Sequence, residues 1–553
     1  MKLQQVQKNH IIQTQDKEKK QPQFKGAIDT TFRFLATNQG FGCNVTDFSF
    51  MVLPRTLTDA KRGPAACAET LRREASGTLN HSLIGVYGMG AGWLLAHAFN
   101  NKFGLGAGEI NNTLAAPETI KILAENKYRQ VKDGKAQFDY IKETLKNIKA
   151  YNPNSIKADA KGYINLAEFS DETINELANI LDDAVKNKTW KEWGNKKSSN
   201  SIQVLMNRIM ELTGAEKKYI LQSADGKVES VSELKTMLED IFKLSKTFNK
   251  EKVNSAFIEQ IAKGADLNKN AFVSKLTKFM KNRSVAGFIL GSVIGMSIQP
   301  LNIYITKLKT GSDGFVGVEG RSKDNSAGFK ALKGVAAAGF GAMAMATMKT
   351  GFKGFVDKIA FKGAFPSLDQ LKGIYGLTIM SRLIAARDKD ELRESLTKDF
   401  LGFLSWLVLG DIVNRFSAEA INNSVMNRTK EVANKGFIRR AFSSELKTRD
   451  EILIEALAEK GISTVKKDGE KVVAKTFKEM LKDLKGISDE AFVRKIKSRL
   501  RTLNGAQAIG YAFTGIVLGF GIPNLNIYIT NTLDKKRKAK AAEQAQQAEL
   551  TKA

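Results

Sequence analysis

Cysteine, histidine and proline are all scarce in this chain of 553 residues. Its two cysteines, Cys43 and Cys67, cannot build a disulfide framework, which points to a reducing, cytosol-facing setting. The three histidines, His10, His81 and His97, stand at no ligand spacing with one another, with cysteine or with a carboxylate. A histidine-based metal site is therefore not expected, and no cofactor is implied. Eight prolines exclude a many-turned β fold and leave room for long helices. Residues 1–23 are polar and lack the apolar core of a secretory signal, so any membrane insertion would use internal segments. Acidic residues are also short: 86 Lys and Arg against 58 Asp and Glu leave a net charge of +28. That charge attracts polyanions, whether nucleic acid, anionic lipid or acidic protein, without choosing among them.

What the chain has in quantity is repetition. Phe24 to Asp29 (FKGAID) matches Phe352 to Asp357 (FKGFVD). Trp93-Leu94-Leu95 and Asn101-Lys102-Phe103 match Trp406-Leu407-Val408 and Asn414-Arg415-Phe416 at one offset of 313, which also relates Ser82-Leu83 to Ser395-Leu396. Ala215-Glu216-Lys217, Asp225-Gly226 and Met237-Leu238 recur 243 residues later. Ala271-Phe272-Val273 recurs at Ala491-Phe492-Val493. Leu-Asn-Ile-Tyr-Ile-Thr at 301–306 is repeated identically at 525–530, and Gly291 and Gly295 fall on Gly515 and Gly519 at that same offset of 224. Blocks in one order in both halves indicate a tandem duplication.

The expected organisation is a polar tail (1–23), repeat one (24–306), a linker (307–351) with an apolar helix at 334–348, repeat two (352–530) and a basic, Gln/Ala-rich tail (531–553). Repeat one carries an insertion at about 104–214, expected to be a surface elaboration because loops absorb length change best. Each repeat reads as an amphipathic lead-in, a short apolar helix (Ser82–Phe99; Phe400–Val413), a charged helical middle and a longer apolar helix (Ser284–Thr306; Gly505–Thr530). The middles show helical stripes, Leu234, Met237, Leu238 and Ile241, and Phe477, Met480, Leu481 and Leu484. Each stripe follows an Asp-Gly turn that suggests a small hairpin.

The long apolar segments are uncharged over the roughly twenty residues that a membrane span needs. Gly287, Gly291 and Gly295, and likewise Gly515 and Gly519, recur every four residues, the pattern that lets helices approach closely in lipid. The fold class expected is mainly α: a tandem-duplicated helical membrane protein with Gly-rich apolar helices and charged amphipathic helical middles. The Lys535–Lys540 run would hold the C-terminal tail in the cytoplasm. The repeats are inverted if 334–348 crosses the membrane and parallel if it lies flat.

Candidate chemistry is sparse. No nucleophile–base pair can be nominated, so an enzyme is the less favoured expectation but is not excluded. The glycines at 88–92 and 104–108 lack the strand and the Gly-Lys-Ser/Thr ending of a phosphate loop. Asp266, Asn268 and Asn270 start like a calcium loop, but Ala271 and Thr277 stand where Gly and Glu are required. His97 aligns with Gly410 beside Asp411, which makes His97 and Asp411 a candidate ionisable membrane site. A charged block from Arg55 to Glu74, echoed from Arg382 to Glu394, is expected to be a solvated membrane-proximal helix, with a headgroup-binding surface or salt-bridged gate as the other reading. Pro300 and Pro523 are expected to end their apolar helices, leaving Asn302 and Asn526 at breaks where a solute could bind. Three functions compete: a pseudo-symmetric bundle that binds or moves a solute or lipid, with the two closing motifs facing each other; a membrane scaffold for anionic lipid or a protein partner; and a soluble polyanion binder. Nucleic acid ranks last, for want of an aromatic-interleaved basic motif.

Overall fold

The computed structural model describes residues 31–33, 45, 47–97, 103–113, 115–187, 196–264, 270–318, 320–348, 368–404, 410–469 and 471–550. The matched blocks at 24–29, 352–357 and 406–408 lie outside them. The chain is mainly helical. A π-helical turn, Phe48–Val52, leads into α1 (Leu53–Asp59), and Gly63 at φ 107° turns the chain into α2 (Pro64–His97). Next come α3 (Ala107–Asn112), α4 (Pro117–Lys132), α5 (Gln137–Lys146), β1 (Ile148–Tyr151), β2 (Tyr163–Asn165), α6 (Asp171–Asn187) and α7 (Lys196–Thr213). The hairpin β3 (Tyr219–Gln222) and β4 (Glu229–Ser232) is followed by α8 (Leu234–Phe248), α9 (Glu251–Ala262) and the 40-residue α10 (Ala271–Thr310).

Helices α11 (Ala327–Ala346), α12 (Leu368–Ala385) and α13 (Lys389–Leu404) return the chain to a second globular stretch. That stretch holds α14 (Gly410–Ile421), β5 (Met426–Asn427), α15 (Lys430–Ala433), α16 (Phe437–Ser443), β6 (Glu445–Leu446) and α17 (Arg449–Glu459). It continues with β7 (Val465–Asp468), β8 (Lys471–Ala474) and α18 (Phe477–Lys485). The chain closes with α19 (Glu490–Phe513), a π-helical stretch Thr514–Gly521, and α20 (Ile522–Leu550).

The two middles fold into one globular unit. A four-stranded antiparallel sheet, order β2-β1-β3-β4, sits in the first half of the chain, and the β7-β8 hairpin sits in the second. Both Asp-Gly pairs make hairpin turns, with Gly226 at φ 69° and Gly469 at φ 62° where a Cβ would be strained. The helix that follows each hairpin starts at the same place, Leu234 and Phe477, and buries its stripe. A single core joins Leu238, Phe248 and Phe272 of the first half to Leu453, Leu457 and Leu484 of the second.

The 104–214 segment departs from expectation. It supplies Ile120, Leu145, Ile148, Leu177 and Leu205 to that core, together with two strands of the sheet. Its helices carry apolar residues every three to four positions, as in Ile174, Leu177, Ala178, Leu181 and Val185, and such faces must be covered. It is part of the domain's core rather than a surface elaboration.

The remaining helices form a bundle at one end of this unit. Helix α10 runs antiparallel to α2, with Arg283 donating to the Gly88 carbonyl (2.9 Å) and Asn302 to the Glu69 carbonyl (2.9 Å). It also packs along α12, and α11 packs antiparallel to α12, with Lys333 reaching the Ala386 carbonyl. Two helical stretches, Ala271–Thr310 and Glu490–Gln547, are long and apolar enough to cross a membrane.

Candidate functional site

The block of charge between Arg55 and Glu74 is buried, which corrects its reading as a solvated helix. Arg55, Glu69, Arg73 and Glu74 are all under one-tenth exposed, and so are Arg382, Arg387, Glu391, Lys398 and Asp399. The α1–α2 hairpin brings one set and the α12–α13 hairpin brings the other. Charged residues tolerate such burial only when opposite charges meet them. Arg387 donates to Glu69 Oε1 and Oε2 (2.5 and 3.2 Å) and to Glu391 Oε2 and Oε1 (2.9 and 3.0 Å). Arg62 forms a two-pronged pair with Glu394 (2.8 and 2.6 Å). Glu74 takes Arg55 and Arg73, each at 3.0 Å, with the Lys398 ammonium at 3.6 Å. Deeper along the helices, Arg382 pairs with Asp399 (3.1 Å). Phe315 lies against the Arg62 and Arg387 guanidiniums, 5.7 and 5.9 Å from its ring centre. A cavity of about 20 Å³ remains among Asp59, Arg62, Glu69, Arg73, Glu394 and Lys398, room for about one water.

The closing motifs brace this layer from its two outer sides. Arg72 donates to Asn302 Oδ1 and Thr306 Oγ1 (both 2.8 Å), and Arg393 donates to Thr530 Oγ1. Asn526 donates to the Glu394 carbonyl (3.2 Å). Arg72 and Arg393 belong to matching Leu-Arg pairs, Leu71-Arg72 and Leu392-Arg393, an offset of 321. Helical periodicity then sets the other face of each motif outward: Tyr304 is 59% and Tyr528 70% exposed. The motifs do not face one another, which overturns the expected solute pathway between them. One lies on α2 and the other on α13, with the ion pairs between those helices.

Neither proline ends a helix. Helix α10 runs unbroken through Pro300, and α20 starts with Ile522 and runs through Pro523. A helical proline leaves the carbonyl one turn back without its N–H. At Pro300 that carbonyl belongs to Met296, and Ser381 Oγ of α12 donates to it at 2.6 Å. Before Pro523 the π-helical stretch shifts the register by one, so that Ile522 N–H bonds the Val517 carbonyl. The orphan there is Leu518, and Arg55 Nε reaches its carbonyl at 3.5 Å. Asn302 and Asn526 therefore sit on continuous helices as packing polar groups, not at breaks.

Glycine placement shows the same reciprocity. A methyl on Gly291 would lie 3.2 Å from Ile374 and 3.3 Å from Ile84; one on Gly295 would meet Thr378 and Asn80. A methyl on Gly515 would lie 2.9 Å from Phe50, and one on Gly519 would collide with the Phe50 carbonyl and Pro54. The partners Phe50 and Ile374, and Pro54 and Thr378, share one offset of 324. Each half's closing helix thus packs on the other half's opening helix. Gly287 is buried on α10. His97 is exposed, edge-on to Trp93 at 4.3 Å, with Nδ1 against the Trp93 carbonyl (2.8 Å). Asp411 opens α14, and its side chain lies outside the described residues.

A second charged cluster joins the halves inside the globular unit. Glu216 Oε2 accepts from Thr448 Oγ1 (2.5 Å), Glu451 accepts from the Glu216 N–H (2.7 Å), and Asp450 accepts from Arg33 (2.9 Å). Burial pushes the Glu216 carboxyl up to about 8, helped by the negative charge of Asp450 and Glu451. Burial also raises Glu451. Among the described residues no group of three or more His, Cys, Asp or Glu side chains is placed to hold a metal ion. No protein family, no curated protein and no solved structure matches the chain.

Proposed function

We propose that the protein is an integral membrane protein made of two tandem copies of one unit, and that the ion-pair layer is the closed gate of a passage for a solute between them. The observation that carries the membrane reading is the inverted polarity of the helix bundle, and the gate rests on the buried Arg387–Glu69 and Arg62–Glu394 pairs that cross between the two hairpins. Helix α2 buries Glu69, Arg73 and Glu74 while exposing Leu71, Leu79, Leu83, Val86, Trp93 and Leu94. Only 39% and 28% of the residues in the most apolar windows of the two long stretches are buried. A core helix of a water-soluble protein buries such windows; lipid favours leaving them outside.

The copies are parallel on this reading. Each runs hairpin, globular middle, closing helix, and α11 crosses between them, so α12, which opens the second copy, starts from the same side as the Phe48–Asp59 stretch that opens the first. Exposed Lys307, Lys309, Lys323, Lys330, Lys535, Lys536, Lys538 and Lys540 gather at the end of the bundle away from the globular unit. The positive-inside rule favours the cytoplasm for that end and for the C-terminal tail. This basic end also favours a second reading, a scaffold on anionic lipid.

Washing membranes from expressing cells with alkaline carbonate tests the first claim. Full-length protein should stay in the pellet and need detergent for release. Release as a soluble species would overturn both the spans and the gate.

A further inference from the structure

We infer that α16 is a membrane-surface wedge whose Phe437, Ile438 and Phe442 enter the headgroup–acyl boundary of the leaflet next to the globular unit; the inference rests on the membrane reading above. A helix of seven residues that leaves three large apolar side chains 41, 63 and 50% exposed is costly in water. Its only buried residue is Ala441. It does not float free: Phe416 of α14 stacks edge-on with both Phe437 (5.7 Å) and Phe442 (5.3 Å). Arg415 donates to the Phe442 and Ser444 carbonyls (2.8 and 3.1 Å). The three apolar side chains are therefore presented on a rigid support.

The position of that support names the occupant. Asn414, next to Arg415, fills the space over Gly510 of α19, where a side chain would collide with its Oδ1. Gly510 and Tyr511 open the apolar part of the uncharged run 505–531, and the neighbouring Ile509 is itself 45% exposed. The wedge thus lies level with the first residues of a proposed span, continuous with the apolar belt of the bundle. Exposed Lys430, ahead of the helix, and Arg439, on it beside Ile438, suit the anionic headgroups expected at that depth.

The test uses full-length protein with Cys43 and Cys67 replaced by serine, in liposomes containing anionic lipid, carrying one fluorophore at Ile438→Cys, Val293→Cys or Ile156→Cys. Val293 is exposed midway along α10, and Ile156 is fully exposed on the globular unit. We expect the label at 438 to be quenched by a shallow spin-labelled lipid and to be about fivefold less sensitive to iodide than the label at 156. Iodide sensitivity at 438 equal to that at 156 overturns the inference, as does a label at 438 shielded from both iodide and lipid, which would mean a protein covers the face. Lipid quenching at 293 separates the two failures. If 293 is quenched and 438 is not, only the wedge is lost; if neither is, the membrane reading falls as well.

Discussion

Replacing Arg387 by methionine is the sharpest probe of the ion-pair layer. Arg387 is 1% exposed and makes four hydrogen bonds to two carboxylates that are each 3% exposed. Methionine keeps most of the volume but leaves Glu69 and Glu391 facing each other without a cation. Breaking a buried pair in this way costs about 3–5 kcal/mol, because the uncompensated charge stays buried. Neutralising the stranded carboxylates should return most of that loss. Arg387→Met combined with Glu69→Gln and Glu391→Gln is expected within about 2 kcal/mol of wild type, since the three mutually paired ions are then removed together with their desolvation penalty. Reversible unfolding in mixed micelles, followed by tryptophan fluorescence, measures all three variants. A single variant within about 1 kcal/mol of wild type, or a triple variant no better than the single, would falsify the view that charge compensation holds the hairpins together.

Two further outcomes follow from packing and protonation. Gly519→Ala should cost about 1–3 kcal/mol in the same assay, because its methyl meets the Phe50 backbone and Pro54, whereas Gly90→Ala, with open space around it, should be neutral or stabilising by up to about 1 kcal/mol; equal effects would sink the close-approach argument. Glu216 keeps its proton in the folded state up to about pH 8 while the unfolded chain releases it near 4.5, so its contribution is intact below 4.5 and is lost as pH rises through 8. Full loss corresponds to at most about 5 kcal/mol, and because water still reaches Glu216 we expect about 1–3. Glu216→Gln should therefore raise the melting temperature at pH 9 and leave it unchanged at pH 4, and identical pH profiles for the two proteins would refute the assignment.

Local pattern carried much of this architecture. The stripes at 234–241 and 477–484, the Asp-Gly hairpins and the absence of helix-breaking residues are short-range signals, and each became the element it suggested. What stayed hidden was long-range. The charged block could not be placed inside or outside from α2 alone, since its partners Arg387, Glu394 and Lys398 come from a hairpin more than 300 residues away. The Leu-Arg pairs at 71–72 and 392–393 were a readable signal, an arginine at matching positions in both halves, but only the contacts to Thr306 and Thr530 give it a role. The expected breaks at Pro300 and Pro523 failed because a proline's cost depends on what else can satisfy the freed carbonyl. Ser381 and Arg55 supply that from the opposite half.

That reciprocity bears on how a gate here could open. Each closing helix is tied to its own half through Arg72 or Arg393 and to the other half through a proline-freed carbonyl and a glycine seam. Sliding α2 past α13 while everything else stood still would break the ion pairs and both seams together, and small-residue seams repack poorly because they are filled to contact. On the gated reading, the lower-cost motion leaves both glycine seams filled and rearranges only the layer between α2 and α13. The ion pairs are then the contacts that change, and their chemistry suits such a motion. Arginine and carboxylate can exchange partners within a network without passing through an unpaired state, which Arg387 between Glu69 and Glu391, and Glu74 among Arg55, Arg73 and Lys398, are already placed to do.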